Sequence, residues 1–572
     1  MNSNQRLKAR LILFVILLFA VALVYSLYWT QVEKGQYYFD RAEKQYARPA
    51  VNSFDRGSIL FSAKDGTRIA AATLGSGYLV VMNPTLVEDR EATFEALSQY
   101  LDLDKEDFLR RSAKRPDLYE ELASRVSEND ALSIKALSLS GISLIKENWR
   151  QYPGGVLASQ TIGLLGQSAS STSVSGRYGL ERSYEKILNR RKASFGSYSF
   201  AGIFSDFKDT FFGSDESDQG DIVTTIEPTT QKYLEKILTE TAEVWRADEI
   251  GGIIIDPATG EITALAVLPG FDLNDTVSIK DVSRFANPLV EHVYEMGSIM
   301  KPLTMAVALD SGAIGPDSTY DDTGTMTLSG KKISNFDGRA RGLIPVKEIL
   351  SQSLNVGAAT IALKVGKDDF AKYFMNFGLG SKTAIDLPNE ASSLVGNLKT
   401  GRDVEIATAA YGQGIAVSPI NMTRALSVLA NGGYVVTPHV VKQINYLNGK
   451  TEVKNYAKSG PVMKKETGRD VTEMLVEVVD TALLKGALKM DRYRIAAKTG
   501  TAQIPDPNKG GYYSDRYLHS FFGYFPAYDP KFLVFLYQIH PKGAEYASLT
   551  LTEPFDQVAK FLINYYNIPP DR

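Results

Sequence analysis

The sequence predicts an α+β chain with one membrane-spanning helix, an elongated mixed α/β region and a larger domain whose central antiparallel sheet is flanked by helices. Three observations carry that reading. Leu11 to Trp29 is apolar apart from Ser26. Residues from about 30 to 220 mix short strand and charged helix patterns. Beyond residue 221, turn-bounded β-branched and aromatic runs lie at both ends of the segment, with helical patterns between them. One antiparallel sheet made from the two ends, with the helical middle packed beside it, accounts for that order.

At 572 residues the chain is too long for one compact domain. The organisation reads as a cytoplasmic tail (1–10), a transmembrane helix (11–29), a scaffold or interaction region (30–220) and a second domain (221–572). The 19 residues from Leu11 to Trp29 span about 30 Å as a helix, enough for a hydrocarbon core. Arg6, Lys8 and Arg10 precede the run and predict a cytoplasmic N-terminus. Tyr25, Tyr28 and Trp29 would mark the far interface. The competing reading is a cleaved signal peptide. The run is long for that, and bulky Leu27, Tyr28 and Trp29 stand where small residues should be. The domains after Thr30 then lie outside the membrane. A net charge of −3 gives no sign of nucleic-acid binding. There is no cysteine, so thiolate metal sites and disulfides are excluded. His292, His439, His519 and His540 are scattered without metal-ligand spacing.

In order along the chain, Arg56-Gly57-Ser58-Ile59-Leu60 leads into a strand and the turn at Asp65-Gly66. Charged helical patterns fill Asp89 to Leu137. Arg150 to Gly155 reads as a turn, and Gly179-Leu180-Glu181 enters a short helix ending near Leu188. Residues 190–220 turn rich in Ser, Gly, Phe and Asp, a loop-like junction whose aromatics predict some packing. Thr229 to Trp245 is a helix, and Gly251–Ile255 with Glu261–Leu268 a hairpin around Asp256-Pro257-Ala258-Thr259-Gly260. Ala306 to about Asn431 is largely helical. Val440–Tyr446 and Thr451–Tyr456 flank Asn448-Gly449, a second hairpin. Tyr493–Thr501, His519–Phe525 and Phe532–Ile539 are strands, and Phe555–Tyr565 is a terminal helix.

The chemistry gathers on three short motifs. Ser298 and Lys301 stand three apart in Glu295-Met296-Gly297-Ser298-Ile299-Met300-Lys301-Pro302. A helix opening here sets both side chains on one face, and Pro302 fits its first turn. A serine needs a neighbouring base, and a lysine serves only if burial or another cation lowers its pKa. The spacing alone is weak, since Ser143/Lys146, Ser183/Lys186, Ser205/Lys208 and Ser329/Lys332 share it. Ser353-Leu354-Asn355 follows Ser298 by 55 residues at a helix start. Lys498-Thr499-Gly500 continues a strand whose edge can align an extended peptide. Lys399-Thr400-Gly401, Lys458-Ser459-Gly460 and Ser127-Glu128-Asn129 are decoys in loop contexts or outside the second domain. The ordered triple of Ser-x-x-Lys, Ser-x-Asn and Lys-Thr-Gly in one domain is far more specific than its parts. Ser298 is then the nucleophile and neutral Lys301 its base. Ser353 relays a proton, and the Asn355 amide binds substrate backbone and holds Lys301. Lys498 and Thr499 meet a substrate carboxylate. The N–H groups of Ser298 and Thr501 make the oxyanion hole. No Gly-x-Ser-x-Gly elbow supports a Ser-His-Asp alternative, and His292 reads as a surface or capping residue.

With these motifs the chain resembles the class B penicillin-binding proteins, monofunctional peptidoglycan transpeptidases. Arg56-Gly57-Ser58-Ile59, Tyr152-Pro153, Thr224-Thr225-Ile226-Glu227, Gly412-Gln413-Gly414-Ile415 and Asn431-Gly432-Gly433 also look like family positions. The resemblance implies a pedestal (dimerisation-like) domain over 30–220 and a penicillin-binding transpeptidase domain over 221–572. It implies a D-Ala-D-Ala stem peptide as acyl donor, an acyl-Ser298 intermediate, attack by an amine of a neighbouring stem, inhibition by β-lactams and no cofactor or metal. It further implies a single-pass protein of the cell membrane, partnered by a membrane-embedded glycan polymerase and by division or elongation proteins. The features look most like the cell-division branch. The elongation branch, a non-catalytic division scaffold and a β-lactam-binding sensor remain as alternatives, as does a hydrolase that differs only in its acceptor. Met296 stands where the family usually has proline, and Ala497 where glycine often precedes Lys-Thr-Gly.

Overall fold

The computed structural model describes residues 54–168, 171–190 and 218–572, with isolated positions between 14 and 29. The expected membrane span, Leu11 to Trp29, and the 190–220 junction fall largely outside the described residues. Among the described residues no helix is long and apolar enough to cross a membrane. The chain divides into two compact units, one of residues 1–55, 74–149 and 191–212, the other of 56–73, 150–190 and 213–572.

In the first unit the far part of strand Arg68–Met82 pairs antiparallel with Glu120–Val126. Helices Arg90–Leu97, Lys105–Ser112 and Glu128–Ala136 each begin behind a capping side chain, Asp89, Asp104 or Ser127, that accepts a backbone N–H of the first turn. Val80, Met82, Leu97, Phe108 and Ile134 form the core. The strand Glu120–Val126 interrupts what reads in sequence as continuous helix. Of its seven side chains only Val126 is buried, so no period-2 apolar pattern announces it.

The second unit is built on a five-stranded antiparallel sheet. Its strands are β1 (Glu249–Ile255), β2 (Ile262–Leu268), β3 (Ala496–Pro505), β4 (Tyr512–Phe525) and β5 (Phe532–Ile539), in the spatial order β3-β4-β5-β1-β2. The sheet is therefore made from the two ends of the segment, as the sequence order predicts, and β3 is an edge. The helices used below are α1 (Pro228–Trp245), α2 (Lys301–Asp310), α3 (Asn355–Val365), α4 (Lys465–Glu477) and α5 (Ala547–Tyr565). Helix α1 packs on β2 and α5 on β4, and these two helices touch each other. Helix α4 packs on β3 and against α2. With helices on both faces, β5 is buried along seven of its eight residues, which is why Phe532 to Tyr537 read as a continuous apolar run rather than an alternating one.

The hairpin at Asn448-Gly449 forms as expected, within a second sheet. There Thr451–Val453, Val441–Tyr446, Gly220–Thr224, Ile59–Ser62 and the start of Arg68–Met82 lie side by side. The helical middle also carries two small hairpin-like sheets, Thr319–Asp322 with Gly342–Pro345 and Thr325–Leu328 with Lys331–Ser334. Helix α5 begins eight residues earlier than Phe555 and runs through Pro554. Leu551, Phe555, Val558 and Leu562 are fully buried along one stripe, and that packing outweighs the lost donor.

One buried ionic cluster in this unit ties distant segments together. Glu181, with no exposed surface, accepts from Arg56 Nε at 2.6 Å and Arg150 Nε at 2.6 Å. Arg150 also donates to the Gly57 carbonyl at 2.8 Å. Removing the carboxylate strands the buried Arg150 guanidinium and leaves Arg56 only the Glu185 carboxylate, at 2.7 Å, and breaking such a buried pair destabilises by about 3–5 kcal/mol. We expect Glu181→Ala to lower the thermal midpoint of this unit far more than alanine at the exposed pair Lys236–Glu240. Calorimetry measures both.

Candidate active site

Gly297–Met300 forms a 3-10 turn that passes directly into α2, whose first residues are Lys301 and Pro302. In a 3-10 turn side chains at i and i+3 eclipse. That geometry brings Lys301 Nζ to 2.9 Å from Ser298 Oγ. Gly297 has φ +63, and a Cβ there would meet the Thr501 carbonyl oxygen at 2.8 Å. It is also pressed against Gly412, whose carbonyl accepts the Gly297 N–H at 3.2 Å. The glycine is therefore required both by its backbone angle and by the closeness of β3.

Ser353 approaches from the turn before α3. Its φ is +54, an uncommon angle for a side-chain-bearing residue. The turn aims two oxygens at the same amine. Lys301 Nζ lies 2.6 Å from the Ser353 carbonyl and 3.1 Å from its Oγ. Lys498 arrives from the edge strand β3 and places its Nζ 3.2 Å from Ser353 Oγ and 3.0 Å from the Thr499 carbonyl. Ser298, Ser353, Asn355, Lys498, Thr499 and Thr501 line one cleft of about 720 Å³. Gly500 packs beneath it. A Cβ at that position would stand 2.4 Å from Ser520 Oγ and 2.7 Å from the Met296 carbonyl.

Both amines are buried, Lys301 completely and Lys498 at 3% exposure. Burial pushes Lys301 well below the ordinary lysine value, and the charge of Lys498 pushes it further. Burial lowers Lys498 to about 8. A neutral Lys301 has two N–H bonds and a lone pair. The two N–H groups suit the Ser353 carbonyl and Oγ, which leaves the lone pair for the Ser298 hydroxyl proton. Lys498 stays mostly protonated at neutral pH and makes the cleft attractive to a carboxylate. Among the described residues the outer side of β3 has no strand neighbour, so its backbone is available to an extended peptide.

One expected contact takes a different form. The Asn355 amide lines the cleft, but its Nδ2 donates to the Ser334 carbonyl at 3.0 Å, and the groups holding Lys301 are those of Ser298 and Ser353. Thr501 contributes its backbone to the edge strand, while its Oγ1 accepts the Ala547 N–H at 3.0 Å. Met296 is fully buried, and its carbonyl accepts from Ser520 Oγ at 2.9 Å. Ser520 thus fixes the turn before the nucleophile from inside the sheet, a role that no motif signals. Phe336, Arg341, Gln413 and Tyr546 also line the cleft. Of these, only Gln413 lies in a stretch the sequence singles out. His292 is exposed and contacts Tyr294, away from these groups.

The two amines give the site a pH signature. With Ser298 as nucleophile and Lys301 as its base, the rate of acylation is expected to rise with pH as Lys301 loses its proton, in a range well below 10.5. It falls again as Lys498 loses its charge near pH 8. We expect Lys498→Arg to move only the alkaline fall to higher pH, because a guanidinium stays protonated there. The second-order rate of acylation by a chromogenic β-lactam, followed against pH in both forms, measures this.

Comparison with known families and structures agrees with this fold. The model for the penicillin binding protein transpeptidase domain matches residues 250–560, and that for the penicillin-binding protein dimerisation domain matches 55–194. Stage V sporulation protein D of Bacillus subtilis is 29% identical over 567 residues, covering 96% of this chain and 85% of that protein. Peptidoglycan D,D-transpeptidase FtsI of Buchnera aphidicola is 26% identical over 504 residues, covering 86% and 84%. The crystal structure of penicillin binding protein 2X from Streptococcus thermophilus superposes with a TM-score of 0.74 at 21% identity, covering 90% of this chain and 80% of that one. With a transpeptidase model spanning more than half its length and a dimerisation model before it, the chain belongs to the penicillin-binding proteins, in their class B form.

Proposed function

We propose that the chain is a serine peptidoglycan D,D-transpeptidase, acting from the outer face of the cell membrane. The observation that carries this is the completely buried Lys301 amine within 2.9 Å of Ser298 Oγ. Ser298 Oγ attacks the carbonyl of the penultimate D-alanine as Lys301 takes its proton. The N–H groups of Ser298 and Thr501 receive the oxyanion, where each donor is worth about 10²–10³ in rate. Ser353 Oγ, between the two amines, passes a proton to the departing D-alanine. Lys498 and Thr499 bind that residue's carboxylate, and Asn355 its backbone. An amine from a second stem then attacks the acyl-Ser298 carbonyl and restores the hydroxyl. β-Lactams enter the same cycle as acylating inhibitors. A scaffold without chemistry has no use for a desolvated lysine, which favours the catalytic reading.

The anchor belongs to the same reading. Between residues 14 and 23 the described side chains Phe14, Leu17, Leu18, Phe19 and Leu23 all stand exposed, an apolar helical surface that lipid would cover. The domain assignment 30–220 as pedestal and 221–572 as catalytic domain, a membrane-embedded glycan polymerase as partner, and service at the division septum complete the proposal. A fluorescent fusion in growing cells tests the last point. A septal band is expected, and patches along the side wall would assign the elongation branch instead.

The chemistry is tested by labelling. A fluorescent penicillin is expected to label the full-length protein and to leave Ser298→Ala unlabelled. Persistent labelling of that variant would remove Ser298 as nucleophile.

A further inference from the structure

Two exposed aromatic rings meet at the rim of the cleft. Phe336, 59% exposed, and Tyr546, 39% exposed, both line the cleft that holds Ser298. Their ring centroids are 6.1 Å apart, and the rings are nearly perpendicular at 75°. They come from opposite walls. Phe336 belongs to the segment before α3, and Tyr546 immediately precedes α5, which is tied to the edge strand β3.

Both attachments are rigid. Beside Phe336, the buried Asn335 donates to both carboxylate oxygens of buried Asp322 at 3.0 Å and accepts the Val356 N–H at 3.1 Å. On its other side Asp337 holds Arg341 through two hydrogen bonds of 2.8 and 2.9 Å, and Arg341 Nε donates to Gln352 at 3.0 Å. Beside Tyr546, the Ala547 N–H is held by Thr501 Oγ1. The Glu545 carbonyl lies 3.1 Å from His519 Nε2. That carbonyl only accepts, so Nε2 carries the hydrogen, and Nδ1, 2.8 Å from Thr550 Oγ1, accepts the threonine hydroxyl. Burial pushes His519 down to about 4, which keeps it in this neutral form. The backbone on each side is therefore fixed, and the rings move chiefly by side-chain rotation, a fast motion for exposed groups.

We propose that Phe336 and Tyr546 are the specificity-determining pair that selects an amine over water at the acyl-Ser298 carbonyl. This rests on the transpeptidase reading above. In the productive step the acceptor nitrogen bonds to the acyl carbon and the ester bond to Ser298 Oγ breaks. One amine proton moves through Lys301 to Oγ. With water the same bonds break, and the product is a free carboxylic acid. The paired rings stand at the mouth of the cleft, where an acceptor stem that parts them takes the place of water. A stem peptide parts them at small loss, because its own apolar stem replaces each ring's contact with the other. Water offers no such replacement.

The test follows the full-length enzyme acting on a D-alanyl thioester donor with a D-amino acid as acceptor. The ratio of aminolysis to hydrolysis is read from the products. It is a property of the acyl-enzyme, whatever its rate of formation. Phe336→Ala and Tyr546→Ala are each expected to shift the ratio toward hydrolysis by about 2- to 10-fold, the scale of one aromatic pair. The double variant should match either single, since the residues act as a unit. Tyr546→Phe keeps the ring and should keep the wild-type ratio. An unchanged ratio in both alanine variants would overturn the proposal, as would a Tyr546→Phe shift equal to that of Tyr546→Ala. Absence of any acyl-enzyme in the unaltered protein would reject the transpeptidase reading itself, whereas a normal acyl-enzyme with unaltered partition rejects only the selection by these rings.

Discussion

The site depends on one desolvated amine. Lys301 has lost all contact with solvent, and a lysine in that position is held in its neutral form by the missing hydration and by a second cation nearby. Everything around it follows from that condition. A protonated Lys301 would need a counter-ion, yet the groups that touch it are a serine hydroxyl, a carbonyl and another hydroxyl. These suit a neutral amine, and none neutralises an ammonium. The same reasoning explains why Lys498 touches Ser353 Oγ rather than Lys301 itself. One serine hydroxyl between two nitrogens stands between the Lys498 cation and the neutral Lys301 amine and gives a proton somewhere to go.

Close backbone approach brings two of the three motifs together, and the lysine amines draw in the third. Gly297, Gly412 and Thr501 stack so tightly that no Cβ fits between them, and Gly500 stands over Ser520 and the Met296 carbonyl in the same way. The nucleophile's turn is thus seated directly on the sheet edge. Its position is set by strand pairing from β3 through β4 to β5 that is regular from Ala496 to Gln503 and shifts register only beyond it. A site held by backbone contacts tolerates changes in neighbouring side chains. Met296 and Ala497 depart from the usual residues of the family, yet both are buried and packed, and neither disturbs the distances around Ser298.

Much of this was legible in the sequence, and the legible part has a physical signature. Ser298, Lys301, Ser353 and Lys498 were singled out because a reacting group must be of a particular chemical type, and the order and spacing of those types is rare by chance; the structure brings their side chains together. The sheet was legible because β5 and β1 carry long β-branched and aromatic runs between turns. Ser520, Asn335 and His519 were not. Each acts by donating or accepting one hydrogen bond, and any serine, asparagine or histidine in the sequence looks equally able to do so. The turn of the Asn355 amide toward Ser334 was hidden for a similar reason. An asparagine at a helix start has several backbone partners in reach, and only the path of the loop decides between them. Strand Glu120–Val126 was missed because its faces are both half wet, which erases the alternation that strands display when one side is buried.

The rigidity of the surrounding fold and the burial of Lys301 are two sides of one requirement. Keeping an amine dry opposes folding, because the unfolded chain hydrates and protonates it freely. The packed sheet and the helices on both its faces supply the apolar burial that offsets this. Around Ser298 the turn before α2 is seated on β3 by backbone contacts, and the turn before α3 is tied to both through the Lys301 and Lys498 amines. Freedom is confined to side chains at the cleft rim. A transpeptidase has to admit two peptides in succession while keeping its base dehydrated between them. Fixed backbone below and rotating rings above reconcile those demands, because entry then requires no displacement of the groups that hold Lys301 neutral.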